Sequence, residues 1–157
     1  MSTDTVKFTI DKIDSRLYYD LAEIKKSGFN VNEINRKVYD IDRELFEIQN
    51  TVRSNIKFIK NLAYLYISLQ DMKQLNLDIR DAKDCINLMS NIRGVDKYLM
   101  FIENDDHTYS VSLRSHKITI SDIAVRYGGG GHLLASGVSS VTYQQTEEII
   151  QQMADKE

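Results

Sequence analysis

Tyr127-Gly128-Gly129-Gly130-Gly131-His132-Leu133-Leu134-Ala135-Ser136-Gly137 is the stretch on which the reading of this chain turns. Five of the protein's seven glycines fall inside it, so it is not background composition. Glycine has no Cβ and adopts positive φ freely, which lets backbone N–H groups approach a ligand that side chains would block. Consecutive N–H groups turned to one side form an anion-binding concavity. A helix starting just after the run would add the positive end of its dipole. His132 follows the glycines and can offer a hydrogen bond or a charge, while Ala135, Ser136 and Gly137 keep the exit small. The stretch therefore reads as a phosphate or nucleotide site. The competing reading is a flexible connection. The brevity of the run and its continuation into apolar and small residues argue against that.

Outward from the run, Arg114 lies fourteen residues before the first glycine, at the end of a predicted strand over Thr108 to Arg114. Tyr109, Val111 and Leu113 face one way in this strand, and Ser110, Ser112 and Arg114 the other. A strand, helix and glycine turn return the chain to the same sheet edge, so Arg114 and His132 can converge. A guanidinium fork grips phosphate with two parallel bonds. Ser112 or Ser115 could donate hydroxyls, and backbone donors come from Gly129, Gly130 and Gly131. Tyr127 and Tyr109 are candidates for stacking a base, against the default of core packing. Between His107 and Gly137 three basic residues, Arg114, Lys117 and Arg126, stand against Asp122 alone. The whole chain has a net charge of −3. An acidic body with a basic site suits a small anionic ligand better than long duplex DNA or a membrane surface.

The remaining elements define an α/β (α+β) fold: a mixed sheet of about five strands flanked by helices, preceded by an N-terminal helical segment. Asp14 or Ser15, Asn30 and Asp40 cap three predicted helices in the first third. Near Asn55 the apolar period changes from helical to two, with strands over Ile56 to Lys60 and Leu62 to Ser68. A short helix over Leu69 to Leu75 precedes one capped by Asp81. Tyr98 to Ile102 is a continuous apolar run, as in a central strand covered on both faces. Thr119 with Asp122 caps the helix that Gly128 ends. Val138 to Val141 is a strand, and Thr142 with Gln145 opens the last helix. The predicted division is residues 1–54, helical, and 55–157, a compact α/β unit. Cys85, the single cysteine, sits in an apolar stripe and reads as a core thiol. No export signal or membrane-length apolar run is evident, so a reducing cytoplasm is the expected compartment.

Ser112-Leu113-Arg114-Ser115, Ile123-Ala124, Gly128 to His132 and Ala135-Ser136-Gly137 resemble the C-terminal DHH-associated domain of DHH phosphoesterases. Within that superfamily they are most similar to the nanoRNase (oligoribonuclease) group that also dephosphorylates 3′-phosphoadenosine 5′-phosphate, pAp. Asn32 to Asp40 resembles the end of the DHH lobe in the same group. The resemblance implies a module that binds the phosphate and base of short RNA or DNA oligonucleotides or of pAp, through Arg114, Ser115, Gly129 to His132, Ala135 and Ser136. It implies a separate catalytic DHH lobe holding two manganese ions, with a homodimer as a further assembly. With three histidines and no Asp-His-His string, the chain lacks the ligand set of that lobe. Asp105-Asp106-His107 falls in a predicted hairpin turn. The chain therefore reads as the substrate-binding part, a fragment or a free-standing product, without cofactor or catalytic residues of its own. The substrate-binding part of a cyclic-dinucleotide phosphodiesterase and a non-enzymatic nucleic-acid-binding or assembly domain remain open as alternatives.

Overall fold

The computed structural model describes residues 14–157. It divides into a unit ending at Arg43 and one from Glu44 onward. In the first, Asp14 caps α1 (Ser15–Lys26) by accepting from Arg16 N–H. Gly28, at φ +90°, follows the end of α1. Asn30 caps α2 (Val31–Tyr39) by accepting from Glu33 N–H. Asp40 does not cap the third helix. It is the C-cap residue of α2, its N–H bonding Arg36 O, and α3 (Arg43–Ser54) starts three residues later.

From Glu44 onward the chain wraps a six-stranded sheet of order β1-β2-β3-β4-β6-β5. The strands are β1 (Lys57–Ile59), β2 (Leu62–Ile67), β3 (Lys97–Glu103), β4 (Tyr109–Ser115), β5 (Gly130–His132) and β6 (Ala135–Val141). Only β2 and β3 run parallel. Between them lie α4 (Leu69–Gln74), α5 (Ile79–Asp84) and a 3₁₀ turn (Cys85–Met89). The cap of α5 is Asp78 rather than Asp81: its carboxylate accepts from the N–H groups of both Arg80 and Asp81, at 2.7 and 2.8 Å.

The alternation of side chains splits the core in two. On one face Leu62, Leu99, Phe101, Val111, Leu113 and Val138 pack under α6 (Ser121–Arg126) and α7 (Tyr143–Asp155). On the other, Ala63, Leu65, Ile67, Tyr98, Met100 and Ile102 pack with Val52 of α3 and with Ala82, Cys85, Ile86 and Met89. Because β3 contributes to both clusters, it is buried from Lys97 to Ile102. Cys85 lies inside the second cluster, where burial pushes its thiol up to about 11. None of the buried residues of that second cluster comes from β4, β5 or β6. Among the described residues, this cluster does not extend over the β4-β6-β5 part of this face.

The C-terminal helix starts at the expected capping box, with Thr142 Oγ1 accepting from Gln145 N–H and Gln145 Oε1 from Thr142 N–H. Its far end is tied down by Lys156, whose ammonium reaches both oxygens of Asp122 at 2.7 and 2.6 Å and holds that carboxyl below its usual range. Thr119 does not cap α6. Its N-cap is Ile120, which is fully buried and whose N–H bonds Leu133 O at 2.8 Å.

Val52 and partly buried Ile48 bring α3 into the second cluster, so the folding unit begins ahead of Asn55. A chain starting at Glu44 is expected to unfold in one cooperative thermal or urea transition. A chain starting at Asn55 exposes what α3 covers and is expected to be less stable by at least about 2 kcal/mol, since burying one Val or Ile contributes about 1.5–3 kcal/mol. Equal midpoints for the two chains would contradict this placement of α3.

Candidate nucleotide-binding face

The glycine run is not followed by a helix; it is an edge strand. Tyr127, the C-cap of α6, is followed by Gly128 at φ +75°. Gly128 N–H bonds Val125 O and Gly129 N–H bonds Ala124 O, the two bonds of a Schellman ending. The chain then extends as β5, pairs with β6 alone and turns at Leu133-Leu134. Each glycine has its own reason. A Cβ on Gly129 would stand 2.1 Å from Gly137 O, and one on Gly131, at φ +137°, 2.6 Å from Ala135 O. These two glycines let β5 lie against β6. Gly130 differs: its φ is outside the left-handed range and its Cβ would meet nothing within 4 Å.

Strand register then assembles the site. Tyr98 is opposite Arg114, Arg114 opposite Ala135, and Ala135 opposite His132. In the row two residues along, Met100, Ser112, Gly137 and Gly130 stand opposite one another in turn. Both rows belong to the face left uncovered beyond β3. Arg114 and His132 are therefore on one face, two strands apart, about 10 Å between backbones at the usual strand spacing. Between and beside them are only small residues, Ala135, Gly137, Gly130 and Ser112. Arg114 is half-buried, and His132 and Gly130 are exposed. One guanidinium nitrogen of Arg114, Nη1, donates to Leu113 O at 2.8 Å and Ser136 O at 3.2 Å. This anchors the fork against the sheet, and five N–H donors leave others for a ligand. The outer edge of β5 adds backbone groups that no strand among the described residues pairs.

The face sorts the residues read from sequence. Arg114, Gly130, His132 and Ala135 share it. Ser115 and Ser136 do not: each is one residue out of phase and points to the α6–α7 side, buried at 8% and 3% exposure. Ser115 Oγ accepts from Lys117 and Ile118 N–H, and Ser136 Oγ donates to His132 O. Both hydroxyls thus brace turns and do not face a ligand on the open side. Gly131 lies in the row of Ser136, and Gly129 abuts Gly137. Tyr109 and Tyr127 are also on the covered side, packed against the first core cluster, with Tyr127 Oη bonded to Glu148 and Gln152 of α7. Sequence reasoning missed Tyr98, which borders the open face. Burial raises its phenol, and the nearby Arg114 charge opposes that shift.

Asp105-Asp106-His107 does form the β3–β4 turn, where Asp106 accepts from Thr108 and His107 pairs with Glu103 at 2.9 Å. Among the described residues no group of three or more His, Cys, Asp or Glu is placed to hold a metal ion. The described residues do not offer the carboxylate and histidine cluster that a pair of manganese ions needs. No helix among the described residues is long and apolar enough to cross a membrane.

Residues 60–156, from the β1–β2 turn to the end of α7, match the DHHA1 domain. The chain belongs to that family. Among curated proteins the DHHA1 chain is 28% identical over 151 residues to a probable bifunctional oligoribonuclease and PAP phosphatase NrnA of Streptococcus mutans, covering 96% of this chain and 49% of that protein. It is 24% identical to the Bacillus subtilis bifunctional oligoribonuclease and PAP phosphatase NrnA, covering 94% and 47%. The chain spans about half the length of these relatives. An exopolyphosphatase-related protein from Bacteroides fragilis has the same fold, with a TM-score of 0.84 at 25% identity over 99% of this chain and 47% of the other. A pGpG-specific phosphodiesterase, PggH, of Vibrio cholerae shares the fold at a TM-score of 0.55 and 9% identity, over 93% and 51%.

The glycines give a direct test of fold against ligand contact. Gly129→Ala is expected to lower the thermal midpoint sharply, because the methyl meets backbone. Gly130→Ala is expected to leave the midpoint within about 2 °C, since a surface change away from such features stays within about 0.5 kcal/mol. Any loss of nucleotide affinity in Gly130→Ala then reports close ligand approach to β5. Equal midpoints for the two variants would refute the account of Gly129.

Proposed function

We propose that this DHHA1 domain holds short oligonucleotides or pAp by their phosphates for hydrolysis by a DHH catalytic lobe. The observation that carries the reading is the single cross-strand row in which Arg114 and His132 flank Ala135 on an open face floored by glycine, alanine and serine. A flat, small-residue floor lets a ligand reach the backbone, and the two cationic-capable side chains set its position from either side. Arg114 supplies the charge and His132 a ring nitrogen for a further hydrogen bond. The names of the Streptococcus and Bacillus relatives, oligoribonuclease and PAP phosphatase, support this substrate class over a cyclic dinucleotide.

In this reading the chain binds and orients substrate, and manganese chemistry belongs to the other lobe. Calorimetry with diadenosine monophosphate (ApA), whose only phosphate is a diester, tests the binding. Arg114→Ala is expected to cost on the order of 1.5–3 kcal/mol, the range for a hydrogen bond to a charged group. Arg114→Lys is expected to recover little, because the bidentate geometry goes with the fork. If Arg114→Ala and His132→Ala both bind ApA as wild type does, the site is elsewhere.

The purified chain is also expected to release no phosphate from pAp with or without manganese. EDTA-sensitive turnover above that of a mock preparation would show that it carries chemistry of its own.

A further inference from the structure

We infer that His116, seated on the Tyr98 ring at the border of the Arg114–His132 row, is the stacking platform for a nucleobase of the bound ligand. The inference rests on the proposed nucleotide reading and extends it to the base. Tyr109 and Tyr127 lie on the covered side of the sheet, so neither can stack a base whose phosphate is held by Arg114. The aromatic rings that border the open face are different ones. Tyr98 is the cross-strand partner of Arg114, and the His116 ring sits 5.7 Å from it, centroid to centroid, at 47°. Tyr98 is 9% exposed and locked in the second core cluster, whereas His116 is exposed. One ring is thus a fixed backing and the other presents a free surface.

The backbone holds His116 in place from both sides. Its N–H bonds Asp96 O at 2.9 Å, and the next two N–H groups wrap the Ser115 hydroxyl. Ser115, out of phase with the open face, thereby positions the residue after it. His116 is on the β3 side of Arg114 and His132 on the β6–β5 side, so a phosphate held between Arg114 and His132 leaves one flanking nucleoside over His116. Stacking tolerates any base, because every base has a π face.

Calorimetry of the full chain with two probes tests this: ApA, and the same diester between two abasic riboses. His116→Ala is expected to weaken ApA binding about 5- to 150-fold, as for loss of one base–aromatic stack, and to leave the abasic probe unchanged. His116→Phe, which keeps an aromatic ring and removes the ring nitrogens, is expected to bind ApA within about 2-fold of wild type, since the ring face is retained. Both variants should keep the wild-type thermal midpoint, because the side chain is exposed. Equal losses on both probes, or His116→Phe as weak as His116→Ala, would overturn the platform and indicate a phosphate contact instead. If Arg114→Ala weakens ApA binding and His116→Ala does not, the platform alone fails. If wild type does not bind ApA, the nucleotide reading fails and this inference with it.

Discussion

The edge of the sheet closes because two residues lack a Cβ. At Gly129 a methyl would overlap the Gly137 carbonyl, and at Gly131 it would overlap Ala135 and Ser136. Removing that volume lets β5 lie against β6 in a register that brings His132 opposite Ala135. The turn that follows is caught by its neighbours: Ser115 N–H takes Leu134 O and Ile120 N–H takes Leu133 O, at 2.9 and 2.8 Å. The start of α6, the end of β4 and the glycine strand are therefore one hydrogen-bonded unit. The placement of His132 relative to Arg114 depends on this backbone contact more than on any side-chain packing.

Much of this fold is legible in the sequence because its signals are local. β4 alternates cleanly, β3 is a continuous apolar run, and α7 carries its capping box. Each needs a window of fewer than a dozen residues. The glycine strand is not local in this sense. Its extended form is imposed by β6, whose own first half, Ala135 to Gly137, pairs with β4 beyond the range that any periodicity covers. Sequence reading therefore sees a glycine turn that cradles anions, where the structure has an edge strand. The caps fail for a related reason. Asp78 and Asp81 both have capping chemistry; the helix starts at Ile79, just after the Asn76 turn at φ +50°, so Asp78 holds the cap and Asp81 lies in the first turn.

The site residues divide along the pleat. Arg114 and Ser115 are neighbours in sequence and share a motif, yet a strand sends them to opposite faces. The same parity separates Ala135 from Ser136, and Gly130 from Gly131. A motif read as a string groups all of them; a motif read as a pair of strands keeps every second one and assigns the others to bracing. The tyrosines are sorted by the same rule. Tyr66 stacks on Phe101 at 4.6 Å and 20°, meets Tyr109 edge-on, and shares a 2.7 Å hydrogen bond with Thr146 of α7. Burial pushes its phenol well above the usual range. Tyr66, Tyr109 and Tyr127 thus serve α7 docking, and the tyrosine ring that borders the open face is the one embedded in the most apolar run.

An open face of this kind has an energetic consequence. A hydrogen bond to a charged group contributes about 1.5–3 kcal/mol, a solvent-exposed ion pair about 0–1, and a base stack about 1–3. On the proposed reading, Arg114, His132 and one stacked base together give about 2.5–7 kcal/mol, which corresponds to affinities from about ten-millimolar to about ten-micromolar. Such a surface orients a ligand better than it retains one. Tight binding needs the solvent-facing side of the nucleotide to be covered as well, since excluding water strengthens the charged contacts already present. On the proposed reading, the catalytic lobe supplies that cover. Grip and chemistry would then appear together only when the two surfaces meet on one substrate, and ligands too short to touch both would be held weakly by either.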